Sequence, residues 1–523
     1  MTAKSSLGGS VGEPAGAVRS PAEKDVTSAA AGRPPAAARV RRTIAANRAF
    51  TVVLALAALL RVVVMLGYPP AMFFNDSYNY MTDAITGVPD TVRSSGYPLF
   101  LRVLEPLHSL NVVAGLQALM GLAMGAAIYA LLRRRGLPWW GATLCALPVL
   151  FDVFELQLEH MIASDVLFYT LLTAAVLLLC WWDRPPVAVA ALAGLLAGYA
   201  ATVRNVGEVM LVFIVIGMLA RRMGWRRIGA TVVAGVIPIA GYMFWFHASV
   251  GKYAMNEATG TFLYSRVQSF ADCARMDPPA TLRPLCDDRA LVHRPNSQEY
   301  LWSNQTPLAK LTGTDNTKRF TPQIQSLTMK FAELAIEKQP LDYARVVVRD
   351  ILTTFNPAKV NANNDIGNLE GDGSKFQFER TVWPVPSWVT SDRANKQAAE
   401  DFGGATYGKP SVVQPWARFL WAYQHVYLRG PLLFGYFLVG FGGIVVSARR
   451  KTRFGWGGLG LMPWLIGAAL IVLPPMTSGF SYRYALAAVP AACLAAGLAF
   501  AGRGNLITWL RTRLRNGSKR LPQ

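Results

Sequence analysis

Runs of apolar residues long enough to cross a bilayer recur along this chain, separated by polar stretches of very unequal length. Read with a window of about 19 residues, they predict about ten spans. The first seven lie near residues 50–67, 110–132, 138–153, 165–182, 187–203, 206–220 and 229–248, and the last three near 431–448, 456–475 and 484–501. A long mixed region, 250–429, separates the two groups. Within it, "TPQIQSLTMKFAELAIEKQPLDYARVVVRDIL" places apolar residues at helical spacing and predicts at least two amphipathic helices. The expected fold is an all-α polytopic membrane protein with an extracytoplasmic, α-containing domain inserted before the last three spans.

Composition agrees with that pattern. Of 523 residues, 52% are hydrophobic and only 16% charged, a balance that excludes an ordinary soluble domain. The net charge of +21 could suggest a nucleic-acid partner. Its placement argues against one, because the basic residues cluster between apolar runs, as in cytoplasmic loops. Arg133-Arg134-Arg135, Arg184, Arg221 to Arg227, Arg449-Arg450-Lys451-Arg453 and the tail from Arg511 to Arg520 all fall on one side if the N-terminus is cytoplasmic. Both termini are then expected inside a plasma membrane.

Residues 1–48, rich in Ala, Gly, Ser and Pro, read as a disordered cytoplasmic tail without a cleaved signal peptide. Residues 49–249 read as a transmembrane module, 430–502 as the C-terminal spans and 503–523 as a basic cytoplasmic tail. The outer side receives the loop 68–109, the bend 152–164, the turn at Arg204, the region 250–429 and the short turn before the last span. Cys273 and Cys286 are the only cysteines outside the expected spans. Outside the cytoplasm they can oxidise and close a small loop, two reduced thiols being the plainer alternative.

Charged residues gather at this outer level. The loop 68–109 carries Asp76, Tyr78, Asp83, Arg93 and Tyr97; the bend carries Glu159, His160 and Asp165; Arg204 tops the fifth span, and Arg483 and Tyr484 top the last. Singly, each could be an interfacial anchor or an ion pair. Together, acids and arginines from distant parts of the chain suggest a cavity, since ionisable groups at membrane level are costly. Arg61, in the middle of the first span, could snorkel or pair with an acid inside the bundle. A carboxylate at the interface can act as a general base toward a hydroxyl. Arginines beside it can hold a phosphate and stabilise it as a leaving group. That pairing suits a donor whose phosphate sits at the interface and whose tail lies in lipid.

The same residues carry a likeness. The early acid with "YxxMTDAI", then "RSSGYPLFLRVL", "LQALMGLAMGAAIYALLRRRGLP", "EHMIASDVLFYTLL", "GLLAGYAATVRNVG" and the late "YRYALAAVPAACLAAG" resemble the GT-C superfamily of integral membrane glycosyltransferases. The nearest branches are the bacterial protein O-mannosyltransferases, the lipid A aminoarabinose transferase and cell-envelope arabinosyl- and mannosyltransferases. The resemblance covers most of 50–248 and the final span, and leaves 250–429 unplaced. It implies transfer of a sugar, with inversion, from a polyprenyl-phosphate donor to a glycan, lipid or protein acceptor outside the plasma membrane. It implies Asp76 and Asp165 as the catalytic acids and Arg204 and Arg483, joined here by Arg93, as the donor-phosphate ligands. Tyr78, Tyr97, Glu159, His160 and Tyr484 are then expected to bind substrate. Many relatives carry Asp-Glu in the first loop, where this chain has Asp76-Ser77.

The superfamily includes metal-dependent and metal-independent members. No cofactor is required by these residues, but Asp76 with Asp165 or Glu159 could supply oxygen ligands to a divalent cation. The acidic, Gly-rich stretch 361–376 is either a cation-holding loop or a plain surface loop. Two other classes compete: a transporter or flippase of a lipid-linked glycan, and an O-antigen-ligase-like enzyme. A transporter is expected to show repeats and midplane polar residues. Here the halves show no repeat and the polar residues sit at the outer end.

Overall fold

The computed structural model describes residues 45–295, 297–356, 378, 393–403, 411–428, 430–449 and 457–501. The stretch 361–376 and, apart from Arg48, the basic residues of both tails lie outside them. Residues 1–51 and 52–523 form separate units, and apart from the first turn of α1 everything discussed below belongs to the second. The described residues are helical, with no strand among them.

Five helices are long and apolar enough to cross a membrane: α1 (Arg48–Gly67), α4 (Leu110–Arg134), α7 (Ser164–Trp181), α10 (Trp225–Val250) and α16 (Gly430–Arg449). A sixth arises if the bent pair α5 (Trp139–Phe151) and α6 (Val153–His160) counts as one span. Four more apolar helices are shorter: α8 (Val187–Val203), α9 (Val206–Ala220), α17 (Leu461–Thr477) and α18 (Tyr482–Ala499). Between α1 and α4 lie two short helices, α2 (Asn75–Thr86) and α3 (Gly96–Leu104). After α10 come α11 (Thr259–Val267), α12 (Pro322–Lys338), α13 (Pro340–Thr353), α14 (Arg393–Gly403) and α15 (Trp416–Tyr423). Pro340 divides the amphipathic stretch 321–352 into α12 and α13, because proline starts a helix readily but cannot continue one.

The breaks are as informative as the helices. The sequence suggested a simple bend at 152–164; a further helix, α6, occupies it, turned by 50° from α5. Asp152 ends α5 in an extended conformation and caps α6, its carboxylate accepting from Phe154 N at 2.8 Å. After α6 the chain opens again, and Met161 pairs with Met72 as an isolated parallel bridge. Met72 N donates to His160 O at 2.9 Å and Ile162 N donates to Met72 O at 3.0 Å. The loop 68–109 is thus fastened by backbone bonds to the gap between α6 and α7.

Side chains secure the same gap. Gln117 of α4 donates to Glu159 O and Met161 O, at 2.9 and 2.8 Å, and accepts from Tyr97 at 2.7 Å. Arg61 pairs with Glu159 at 2.7 Å and caps the end of α5 through Leu150 O, inside the bundle rather than snorkelling. Gly121 makes room for that carboxylate, since a Cβ there would meet Glu159 Oε1.

Close packing of α8 on α10 explains the glycines of α8. A Cβ at Gly194 would lie 2.0 Å from Thr231 O, and one at Gly198 equally close to Gly235 O. Bare backbone lets the two helices touch, as small residues do between helices in lipid. The described part of 250–429 has a core of its own, in which Tyr264, Phe331, Leu308 and Leu285 are buried together. Cys273 and Cys286 are joined as a disulfide at its edge, their Cα atoms 6.0 Å apart. Tyr343 OH donates to Met476 O and Ser297 Oγ to Ser478 O, both at 2.9 Å, tying this region to the C-terminal end of α17.

The helix contact yields a test. Gly194→Ala should cost about 1–3 kcal/mol through overpacking and lower the unfolding temperature in detergent. Gly241→Ala, on α10 where nothing lies within 4 Å of the added methyl, should leave it unchanged or higher. Equal melting of the two variants would refute the contact.

Candidate functional site

A cavity of about 1180 Å³ opens where the loop 68–109, the helix breaks and the region after α10 meet. Its walls come from α2, the loop 90–94, the first turns of α7 and α18, the α8–α9 junction, the C-terminal half of α17, and residues between 256 and 320. Phe168, Val209, Leu470, Leu473 and Ala487 give it an apolar side. Asp76, Arg93, Arg204 and Arg483 give it a charged one.

The charged side is a single chain of ion pairs. Asp165 sits in the first turn of α7, where a negative charge is favoured, and is wholly buried. One carboxylate oxygen bonds Arg204 Nη1 and the other bonds Arg483 Nη2 at 2.5 Å. Arg483 reaches on, its Nη1 lying 3.9 Å from Asp76 Oδ2. The other oxygen of Asp76 accepts from Arg93 Nε and Nη2, at 2.9 and 2.8 Å. Arg93 ends the chain at Asp90, 3.5 Å away, and over the ring of Trp302, 5.6 Å from its centroid. Arg204 lies over Tyr484 at 4.8 Å and Arg483 over Phe74 at 4.5 Å, so aromatic faces hold the guanidiniums flat.

These elements come together because the backbone stops being regular at each of them. Arg204 occupies the two-residue interval between α8 and α9 in an extended conformation. Gly96 allows α3 to lie against it: a Cβ there would meet Thr202 backbone at 2.5 Å. Ser94 bonds Asn205 across the same seam. Ser77 Oγ accepts from Phe74 N at 2.8 Å and donates to Ile162 O at 2.6 Å. The position beside Asp76 therefore faces the α6–α7 gap, buried, and an acid there would not look into the cavity.

Of the residues expected to form the site, Asp76, Arg93, Arg204, Arg483 and Tyr484 line one cavity. The others stand elsewhere, and Arg93 is already paired. Asp165, expected as a catalytic acid, lies beneath the wall with both oxygens taken by arginines. Arg93, expected on the donor phosphate, is engaged by Asp76 and Asp90. Tyr97 is fully buried with its hydroxyl on Gln117, and Tyr78 is buried against Phe73, ring centroids 5.6 Å apart. Burial pushes the Tyr78 phenol up to about 12. Glu159 belongs to Arg61, and His160 Nε2 is 2.8 Å from Tyr68 O. None of these four lines the cavity.

The expected oxygen ligands for a cation do not converge either. Asp165 and Glu159 are each held by arginine, and among the described residues no group of three or more His, Cys, Asp or Glu is placed to hold a metal. The cavity also contains groups that sequence reasoning passed over, namely Asn79, Asp90, Trp302 and Phe320. Asp76, Asn79 and Asp83 follow one helix face, a pattern legible in the sequence; nothing there pointed to Trp302. No family model, curated protein or solved structure matches this chain.

Asp83 supplies a pH test. Burial, with Asp90 adding to it and Arg93 opposing, pushes its carboxyl up to about 8. The folded chain then holds a proton on Asp83 that the unfolded chain releases near the ordinary aspartate value. Stability conferred by the neutral form is lost as pH rises toward 8. The melting temperature of Asp83→Asn relative to the parent should therefore rise between pH 5 and pH 8. A constant difference across that window would contradict the burial of this carboxyl.

Proposed function

We propose that this chain is a membrane glycosyltransferase that moves a sugar from a polyprenyl-phosphate donor to an acceptor hydroxyl outside the plasma membrane. One observation carries the reading: a cavity-facing carboxylate, Asp76, lies beside two arginines that a buried acid fixes in place, with an apolar wall adjoining them. The wall suits a lipid tail and the arginines suit its phosphate. In this reading the bent pair and the shorter apolar helices also cross the bilayer, giving about ten spans with both termini cytoplasmic.

The roles follow from the contacts. Arg204 and Arg483 hold the phosphate, already spaced by Asp165 and flattened by Tyr484 and Phe74. Arg93 orients Asp76. The acceptor oxygen attacks the anomeric carbon from the face opposite the phosphate. The new C–O bond forms as the bond to the phosphate oxygen breaks, so the configuration inverts. The hydroxyl proton passes to Asp76 and the bonding electron pair to the phosphate, whose charge the two arginines stabilise. Fixed donors need no reorganisation as that charge develops.

Membranes carrying Asp76→Asn should lose about 10²–10⁴-fold in transfer from a synthetic polyprenyl-phosphate sugar, while inserting normally. Arg204→Ala should raise KM for the donor and also lower kcat, because the arginine both binds the phosphate and stabilises the charge that develops on it. Undiminished transfer by Asp76→Asn removes the proposed base. Absence of transfer by the parent from every monophosphate donor removes the reading altogether.

A further inference from the structure

The cavity extends beyond its charged centre, along α2. Asp76, Asn79 and Asp83 all line it, at a spacing that places them on one helix face. Seven residues of helix put Asp83 about 10 Å from Asp76. Asp83 Oδ2 is buried and has no hydrogen-bond partner, which is rare for a polar atom enclosed by protein.

The wall that continues from Arg93 differs in chemistry from the one beside Arg204. Trp302, Phe320 and Phe262 line it, with Trp302 5.6 Å and Phe262 6.5 Å from Phe320, centroid to centroid. Neutral side chains such as Asn304 and Ser303 stand among them. Glu257 N donates to Thr91 O at 2.6 Å, which holds this wall against the loop that carries Arg93. Aromatic faces interleaved with amides and hydroxyls fit a ring that is apolar on its faces and hydroxylated at its rim. Asp76 and Asp90 bring negative charge to this end and disfavour an anionic occupant, while Asp83, protonated below about pH 8, adds a neutral polar group.

We propose that this end of the cavity is a subsite for a neutral oligosaccharide acceptor longer than one sugar. Its reacting hydroxyl lies at Asp76 and a hydroxyl of a more distant unit lies on Asp83, with Trp302 and Phe320 beneath the rings. This assignment rests on the glycosyl-transfer reading above and gives the described part of 250–429 the task of presenting the acceptor.

The experiment is calorimetric titration of the purified full chain in detergent with linear mono-, di- and tetrasaccharides from neutral glucan, mannan and arabinan series. At least one series should bind more tightly as length increases. Asp83→Ala and Trp302→Ala should each weaken tetrasaccharide binding about tenfold, the loss of one hydrogen bond or one stacked ring, and leave monosaccharide binding unchanged. Asp83→Asn, which keeps a donor at that position, should restore part of the loss and controls for misfolding. Affinity independent of length, absence of binding in every series, or tetrasaccharide binding untouched in both variants overturns the subsite. Length-dependent binding without transfer from any polyprenyl-phosphate donor keeps the subsite and removes the transferase reading. Transfer to monosaccharides with no effect of length does the reverse.

Discussion

The site depends on one buried carboxylate. Asp165 is removed from water at the start of α7 and shared by Arg204 and Arg483. An unpaired charge in that position would be prohibitively costly, and each of its oxygens is met by one guanidinium. The three residues come from α7, from the α8–α9 junction and from α18, so one acid sets the spacing of three segments remote in sequence. Arg483 then extends the order outward to Asp76. Because guanidinium is a rigid planar fork, fixing one of its nitrogens on Asp165 largely fixes where the other points.

Around that acid, irregular backbone does most of the positioning. The charged groups sit at helix ends or between helices: Arg204 between α8 and α9, Asp165 and Arg483 in first turns, Asp76 at the start of α2. Helix interiors provide the contrasting rigidity. Glycines of α8 lie against α10 without side chains between them, and Arg61 with Glu159 bolts α1 to α6. Precision at the cavity is thus supplied by rigid rods, and chemistry by the interruptions in them.

Sequence periodicity made the helices legible, and charge at their ends made the cavity's charged wall legible. Asp76, Arg204 and Arg483 are placed together by the folded chain although 279 residues separate the last two. What the sequence could not disclose was direction. Tyr97 and Tyr78 stand near Asp76 in the chain, yet one hydroxyl turns to Gln117 and the other ring to Phe73. Glu159 and His160 precede Asp165 by one or two turns' length, but a helix break intervenes and sends them to Arg61 and to the backbone of Tyr68. Trp302 carries no local motif; only tertiary folding brings it over Arg93.

The attachment of the loop 68–109 carries a consequence for how the sequence can vary. Met72 and Met161 meet through main-chain groups, and peptide bonds are the same whatever side chains they bear. Met161 is buried and tolerates only side chains of like volume, whereas the half-buried Met72 can vary more freely with the bridge intact. The anchor of Asp76 is therefore written in the main chain and leaves little trace in the pattern of side chains.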